Sequence, residues 1–305
     1  EKKYDELQRL KNLKINTNKI QSITTEGSKI LKNLNKMIFM CEGPIGGFGI
    51  AALYDLFKII KKKKTKVVIS GEGSDEFFLG YFNFYVLFLR NLYFNNNKLF
   101  RKEFDKFKEN ESYRDYTTKD FLNFSRKFLS KELFTPDAQN MSDTDLVNGK
   151  TKNKKAISLN LEQIVKNYVT KTKLPKLLSF LDKCSGAHGV ECRVPMLDHN
   201  LITFLYSNPD YFKVRDSLTK YPIKQWMRVN KIPHHDKKHF VATPQREFFK
   251  NKKIYMKICK KISNGKLVKH RILNFKNFKI KYQKYLKNNN LGNSFFIWKV
   301  LNAES

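Results

Sequence analysis

One stretch of the sequence decides the fold: Val67-Val68-Ile69-Ser70-Gly71-Glu72-Gly73-Ser74-Asp75-Glu76, with Gly80-Tyr81 close behind it. The β-branched run at its start lies between a lysine cluster and two glycines, which predicts a short buried strand of a parallel sheet. Carboxylates follow the carboxyl end of this strand, which is where ligands bind in open parallel sheets. We therefore predict an α/β fold with a ligand site at this turn.

The residue types in the turn suit a phosphate ligand. Gly71 and Gly73 let backbone N–H groups approach phosphate oxygens closely, and Asp75 is suited to hold a magnesium ion that neutralises them. Glu72 remains for proton transfer or electrostatic stabilisation. On these residues alone, an ordinary strand-to-helix turn without a ligand is an equally good interpretation.

Around this stretch, helical and extended patterns alternate before the chain becomes mainly helical. Apolar spacing predicts helices over 4–13, 27–37 and 50–60, and a second short strand over 14–20. The glycine-rich segment 41–49 is predicted to be a loop. From Phe77 onward helix-compatible segments dominate, and a polar patch over 137–155 is predicted to be an exposed loop.

Composition bounds the class of protein. The 305 residues are 41% hydrophobic, which is enough to bury the core of a large globular domain. The 60 basic and 28 acidic residues give a formal net charge of +32, which would attract polyanions. The lysines are spread along the whole chain, however, and no nucleic-acid-binding motif accompanies them. We therefore predict a solvated basic surface and no nucleic-acid partner, with polyanion binding as the alternative.

The cysteines and the apolar stretches indicate a reduced protein without a membrane span. No C-x-x-C pair occurs among Cys41, Cys184, Cys192 and Cys259, which predicts a reduced, cytoplasmic protein. The longest apolar stretch, 81–89, is much shorter than the ~20 residues that a bilayer requires. It is predicted to be a buried helix.

Two further segments combine small, charged and imidazole side chains. The first is Leu181-Asp182-Lys183-Cys184-Ser185-Gly186-Ala187-His188-Gly189-Val190-Glu191-Cys192-Arg193-Val194-Pro195-Met196-Leu197-Asp198. Its small residues at 185–187 favour close helix packing, and Glu191, Arg193 and Asp198 are predicted to form an internal charge-assisted network with a mainly structural role.

The second segment is Pro233-His234-His235-Asp236-Lys237-Lys238-His239-Phe240-Val241-Ala242-Thr243-Pro244. Two histidines four apart can share a zinc ion on a helix. The flanking prolines disfavour a helix here, so zinc binding is only a minor alternative.

In this order, the three segments resemble the synthetase domain of the asparagine synthetase (glutamine-hydrolysing) family. The stretch 70–81 resembles the family's second nucleotide motif, and 191–198 resembles its Glu-x-Arg-x-Pro-x-Leu-Asp sequence. The segment 233–244 resembles a loop in which the family usually carries Arg-Pro-Lys-x-Gly-Phe, with Lys237 on the lysine and Phe240 on the phenylalanine. At the remaining family positions of this loop the chain has His235, Asp236 and His239.

The resemblance implies a parallel sheet of the adenine-nucleotide alpha-hydrolase (ATP pyrophosphatase) type with a largely helical C-terminal portion. A single ATP-dependent domain would cover 1–305, with the sheet region in 1–94 and the mainly helical part in 95–305. The family's Ser-Gly-Gly-x-Asp-Ser pyrophosphate loop does not occur in this sequence, nor does its N-terminal glutaminase domain with a cysteine nucleophile. We expect both upstream in a longer parent protein, and we expect these residues alone to be inactive.

The resemblance also implies a nucleotide site that uses ATP and Mg²⁺. Ser70, Gly71 and Gly73 would contact the nucleotide. Asp75 would help to hold magnesium pyrophosphate.

The implied reaction is ATP-dependent amide formation. A carboxylate, most commonly aspartate, attacks the α-phosphorus of ATP to give an acyl-adenylate and pyrophosphate, and ammonia then displaces AMP to leave the amide, asparagine. Lys237 would stabilise the phosphoryl charge. Glu72 would assist formation of the intermediate or accept a proton from ammonia.

Other substrates and a non-catalytic role stay open at this point. Family relatives amidate sugar acids or act on peptides and β-lactam precursors, and a degenerate nucleotide-binding module is a further interpretation. The expected partners are aspartate, ammonia and a covalently linked glutaminase domain upstream. A homodimer is one assembly that the resemblance allows.

Overall fold

Helices make up most of the secondary structure in the computed structural model, which describes residues 6–13, 15, 20, 22–24, 26–129, 160–236, 243–288 and 294–305. In chain order the elements are α1 Glu6–Asn12, α2 Gly27–Met40, α3 Phe48–Lys62, β1 Val67–Ile69, α4 Ser74–Phe77, α5 Phe82–Asn95, α6 Asn97–Lys108, a 3-10 turn Glu111–Tyr113, α7 Thr118–Arg126, α8 Leu161–Thr170, α9 Lys173–Gly186, β2 Glu191–Arg193, a 3-10 turn Pro195–Leu197, α10 His199–Ser207, α11 Asp210–Lys213, β3 Val214–Arg215, β4 Leu218–Thr219, α12 Tyr221–Val229, α13 Gln245–Phe249, α14 Lys252–Ser263, α15 Lys266–Lys269, α16 Phe275–Lys287 and α17 Phe295–Glu304.

The predicted helices of the first part are confirmed as α1, α2 and α3, and the strand at the start of the deciding stretch is confirmed as β1. The strand predicted over 14–20 lies outside the described residues except for Ile15 and Ile20, neither of which is in a strand. The loop predicted over 137–155 also lies outside the described residues.

The strand β1 pairs in parallel with β2, with Val67 opposite Glu191 and Ile69 opposite Arg193. The parallel pairing agrees with the prediction, but the predicted burial is wrong: Val67 is 39% exposed and Ile69 is 76% exposed. The reason is that, in the described part of the chain, no layer covers the face of the strand pair on which these two side chains lie.

The largest hydrophobic core joins the two ends of the chain, because α2 and α3 pack against α14, α16 and α17. Trp298 is 2% exposed, and its indole Nε1 donates a hydrogen bond to the carbonyl oxygen of Ile45 at 2.7 Å. The amide of Ile45 in turn donates to Oδ1 of Asn302 at 2.9 Å. The last helix therefore fixes the loop that precedes α3.

A second core is built mainly from aromatic side chains of α5, α6, α7 and α8. The stretch 81–89, predicted to be a buried helix, is confirmed in α5, where all six residues from Phe84 to Leu89 are buried.

Within the described residues, no helix combines the length and the apolar content that a membrane span requires.

Candidate active site

Two of the three segments singled out in the sequence meet at one edge of the β1–β2 pair. The amide of Ser70 donates to the carbonyl oxygen of Arg193 at 2.8 Å, which extends the ladder beyond β1. Because parallel strands end at the same edge, the turn after β1 and the turn after β2 lie side by side. This edge is the candidate active site.

Gly73 lies at the contact between these two turns. Its φ of +91° is a left-handed conformation that favours glycine. A Cβ atom at this position would collide with the side chain of Leu197, which belongs to the turn after β2. Gly71, by contrast, is exposed and has open space where a Cβ would lie. The turn thus leaves room for a ligand at Gly71 and is closed by protein at Gly73.

The charge network predicted for Glu191, Arg193 and Asp198 is wrong in its main point, because these groups are not internal. Nε of Arg193 lies 2.8 Å from Oε1 of Glu191, but both side chains are more than half exposed. Asp198 instead caps α10, where its Oδ1 accepts hydrogen bonds from the amides of Asn200 and Leu201. The predicted close packing at 185–187 is also wrong at Gly186, where a Cβ would meet open space.

A lysine that the sequence analysis missed lies beside Asp75. Nζ of Lys220 is 3.2 Å from Oδ1 of Asp75, and it donates to Oγ of Ser74 at 3.0 Å. The Lys220 backbone has a left-handed φ of 54°, and its amide donates to the carbonyl oxygen of Phe78 at 3.1 Å. A Cβ at Gly80 would collide with both Asp75 and Lys220, so the glycine allows their close approach.

Two more carboxylates accompany Asp75. Glu76 is 1% exposed, and its Oε1 accepts a 2.6 Å hydrogen bond from the hydroxyl of Tyr81. Nζ of Lys173, a second lysine missed by the sequence analysis, lies 3.8 Å from the centre of the Tyr81 ring. Glu72 is half-buried, and its amide donates to Oγ of Ser70 at 3.4 Å. The site therefore combines three carboxylates with two lysines.

The environment of Glu72 favours its protonated form. Burial is the largest influence that raises the pKa of Glu72, and the negative charges of Glu76 and Asp75 raise it further, whereas Lys173 and Lys220 oppose the shift. A raised pKa makes a carboxylate a stronger proton acceptor than an ordinary glutamate. This arrangement is consistent with the proton-transfer hypothesis for Glu72.

The raised pKa of Glu72 also makes a prediction about stability. The folded protein holds the Glu72 proton more tightly than the unfolded chain does. The contribution of this proton to the free energy of unfolding is therefore complete below the ordinary pKa of about 4.5, and it is lost as pH rises through the pKa of the folded state. Because glutamine does not ionise, Glu72→Gln should raise Tm at pH 8 and leave it nearly unchanged at pH 4. Thermal unfolding in EDTA without nucleotide measures both values. An equal Tm difference at the two pH values, or the same pattern in the exposed control Glu111→Gln, would contradict the assignment.

Lys237, the predicted catalytic lysine, lies outside the described residues, but the residue before it is well anchored. Oδ1 of Asp236 lies 2.8 Å from Nη2 of Arg228 and 3.4 Å from Nε2 of His234. Nζ of Lys224 donates to the carbonyl oxygen of Asp236 at 2.5 Å. The chain is therefore tied to α12 immediately before Lys237, and α12 itself begins next to Lys220.

The donor set at the turn can be compared with the needs of a magnesium ion. Among the described residues, no group of three or more His, Cys, Asp or Glu side chains is arranged to hold a metal. A magnesium ion that accompanies a nucleotide needs only one or two carboxylates, since phosphate oxygens and water complete its shell. The half-buried carboxylate of Asp75 fits that requirement.

The fold and the site define a mostly helical α/β protein with a charged site at the carboxyl ends of parallel strands. A comparison with protein-family models gives the family: the model described as asparagine synthase matches residues 1–296. The chain belongs to the asparagine synthase family, as its sequence motifs predicted, and membership implies ATP-dependent amidation in general terms. Searches of curated proteins and of solved structures found no match.

Proposed function

We propose that this chain is the ATP-using part of an enzyme that converts aspartate to asparagine, with ammonia derived from glutamine by a separate domain. The observation that carries the proposal is the gathering of Glu72, Asp75 and Lys220 at the carboxyl end of β1: the stretch after β1 carries the two carboxylates, and Nζ of Lys220 lies 3.2 Å from Oδ1 of Asp75. Family membership supports the general reaction. The choice of aspartate rests on its being the commonest substrate implied by the motifs.

ATP would bind with its phosphates at the turn after β1. Ser70 and Gly71 would contact the nucleotide, since Gly71 is exposed and unobstructed, whereas Gly73 would contribute through the shape of the turn. Asp75 would hold the magnesium ion, which neutralises phosphate charge when bound. Lys220, within ion-pair distance of Asp75, would add a second positive charge to the phosphate site.

Glu72 would serve as a proton acceptor, and Lys237 would stabilise negative charge. The raised pKa of Glu72 favours uptake of a proton by this side chain. The proton would come from ammonia as ammonia displaces AMP. Lys237, one residue beyond the anchored Asp236, would stabilise the negative charge that develops at the α-phosphate. Both roles are proposals for single side chains and can be tested separately.

Product analysis of the full-length protein tests the function. Incubation with ATP, Mg²⁺ and either glutamine or ammonia, with each member of a carboxylate panel in turn, should give AMP only when aspartate is present. One asparagine should form per AMP, because one acyl-adenylate is consumed per amide. The panel should include a sugar acid, a peptide and a β-lactam precursor.

The outcomes of this assay separate the alternatives. AMP formation with another panel member and not with aspartate would replace the substrate and keep the reaction. Nucleotide binding without AMP formation under any condition would indicate a non-catalytic module and reject the proposed reaction.

A further inference from the structure

A buried carboxylate outside the candidate active site holds the turn that leads to Lys220. Glu103 of α6 is fully buried. Its Oε1 accepts a hydrogen bond from the amide of Asp216 at 2.7 Å, and its Oε2 accepts one from the amide of Ser217 at 2.9 Å. A buried carboxylate is costly unless hydrogen bonds compensate for its loss of water. Both oxygens of Glu103 are compensated by the backbone of this turn.

The turn that Glu103 holds has an unfavourable backbone. Asp216 and Ser217 are the two central residues of the hairpin β3–β4, and their φ angles are 50° and 55°. Two positive φ angles are typical of the type I′ turn, for which Asn-Gly and Asp-Gly are preferred. Serine at the second position lacks the conformational freedom of glycine, so this turn depends on support from outside the hairpin.

The end of this hairpin places Lys220 at the active site. Strand β4 ends at Thr219, and the next residue, Lys220, reaches Asp75 and Ser74 with its Nζ. The other strand, β3, is fixed by Val214, which is fully buried in the aromatic core. The position of Lys220 is therefore defined by a short segment with Glu103 at its turn and the Phe78 carbonyl at its end.

We propose that Glu103 is a positioning residue for Lys220: its carboxylate holds the Asp216–Ser217 turn in the conformation that directs the lysine to Asp75 and to the phosphates of ATP. The role of Lys220 toward ATP rests on the proposed function. The placement of Lys220 beside Asp75 by Glu103 is independent of the proposed function.

The test uses Glu103→Gln and a rescue variant in the full-length protein. Glutamine presents an amide NH₂ to one of the two turn N–H groups, which leaves a buried donor unpaired and should lower kcat/KM for ATP about tenfold. Ser217→Gly removes the steric penalty of the turn, so E103Q/S217G should recover kcat/KM to within about threefold of the wild type. Glu109→Gln, an exposed carboxylate at the end of α6, is the matched control and should change nothing.

A second measurement reports the accessibility of Lys220 and does not depend on enzymatic activity. Acetylation by a water-soluble ester, quantified on proteolytic peptides, should modify Lys220 about fivefold faster in E103Q, because a displaced lysine loses its ion pair and hydrogen bond. E103Q/S217G should return this rate to the wild-type value, while the exposed reference Lys36 should not change in any variant. This readout decides the placement even where the wild type shows no reaction with ATP, an outcome that counts against the proposed function alone.

Two results would overturn the proposal. One is a folded E103Q with wild-type acetylation of Lys220. The other is faster acetylation that Ser217→Gly does not reverse, since Glu103 would then act by another route than the turn. If E103Q does not fold, Glu103→Asp, which keeps the charge but withdraws it by one methylene, takes its place with the same expected results.

Discussion

Replacing Lys237 by alanine should lower the rate of ATP–pyrophosphate exchange in the full-length protein by about 10²–10³-fold, since removal of one preorganised donor to a developing negative charge has effects of this size. The exchange reports only acyl-adenylate formation, the step in which the α-phosphate gains charge. Ammonia-dependent turnover should fall by a similar factor. Binding of ATP itself should weaken much less, because Lys237 is proposed to act mainly in the transition state.

The anchoring of Asp236 supports this prediction and explains a difference from the family's usual loop. Where the family commonly has proline before the lysine, this chain has an aspartate whose carboxylate binds Arg228 and His234. Proline restricts the backbone at this point through its ring, whereas Asp236 restrains it through side-chain bonds to α12. Different chemistry thus limits the freedom of the residue just before Lys237.

The neighbouring Lys238 provides the matched control. The two lysines are adjacent in the sequence and have the same side chain, and the family motif assigns Lys237 to the phosphates. Lys238→Ala should retain at least about one third of the wild-type exchange rate, as expected for a change away from the reacting groups. Equal losses in both variants, or a large loss only in Lys238→Ala, would contradict the assignment of Lys237.

The deciding stretch could be predicted because its signals are local. A β-branched run flanked by lysines and glycines specifies β1 within a few residues, and the parallel pairing agrees with that prediction. Its partner β2 gave no comparable signal, because Glu191-Cys192-Arg193 has two charged residues in three. The strand forms through its ladder to β1, a contact between residues more than a hundred positions apart. Such pairing cannot be obtained from local pattern.

Lys220 illustrates the same limit at the candidate site. Pro222 at the second position of α12 marks a helix start, so the sequence contains a signal for the cap at Lys220. Nothing local indicates that this lysine reaches Asp75, because the contact depends on the hairpin turn, on Glu103 and on the missing Cβ of Gly80. The motif after β1 identified Glu72 and Asp75 as candidates, whereas Lys220, which the fold brings to Asp75, has no such motif.

Replacing Lys220 by methionine should lower kcat/KM for ATP in the exchange reaction by about 10²-fold, since it removes a cation from a phosphate site that already contains three carboxylates. Lys220 is one of two lysines that oppose the raised pKa of Glu72. Its loss should therefore raise that pKa further and move the acid limb of the pH–rate profile to higher pH. Methionine keeps a similar length and apolar stem, so the packing around Gly80 should be preserved.

Folding should be little affected, which separates a catalytic effect from a structural one. The ion pair between Lys220 and Asp75 is partly exposed, with about 30% of each side chain accessible, and such pairs contribute at most about 1 kcal/mol. Lys231→Met is the matched control, because Lys231 is exposed and has the same left-handed φ of 54°. The backbone cost of exchanging lysine for methionine is therefore equal in the two variants. Wild-type kcat/KM in Lys220→Met, or an equal loss in Lys231→Met, would show that the cation beside Asp75 does not serve the reaction with ATP.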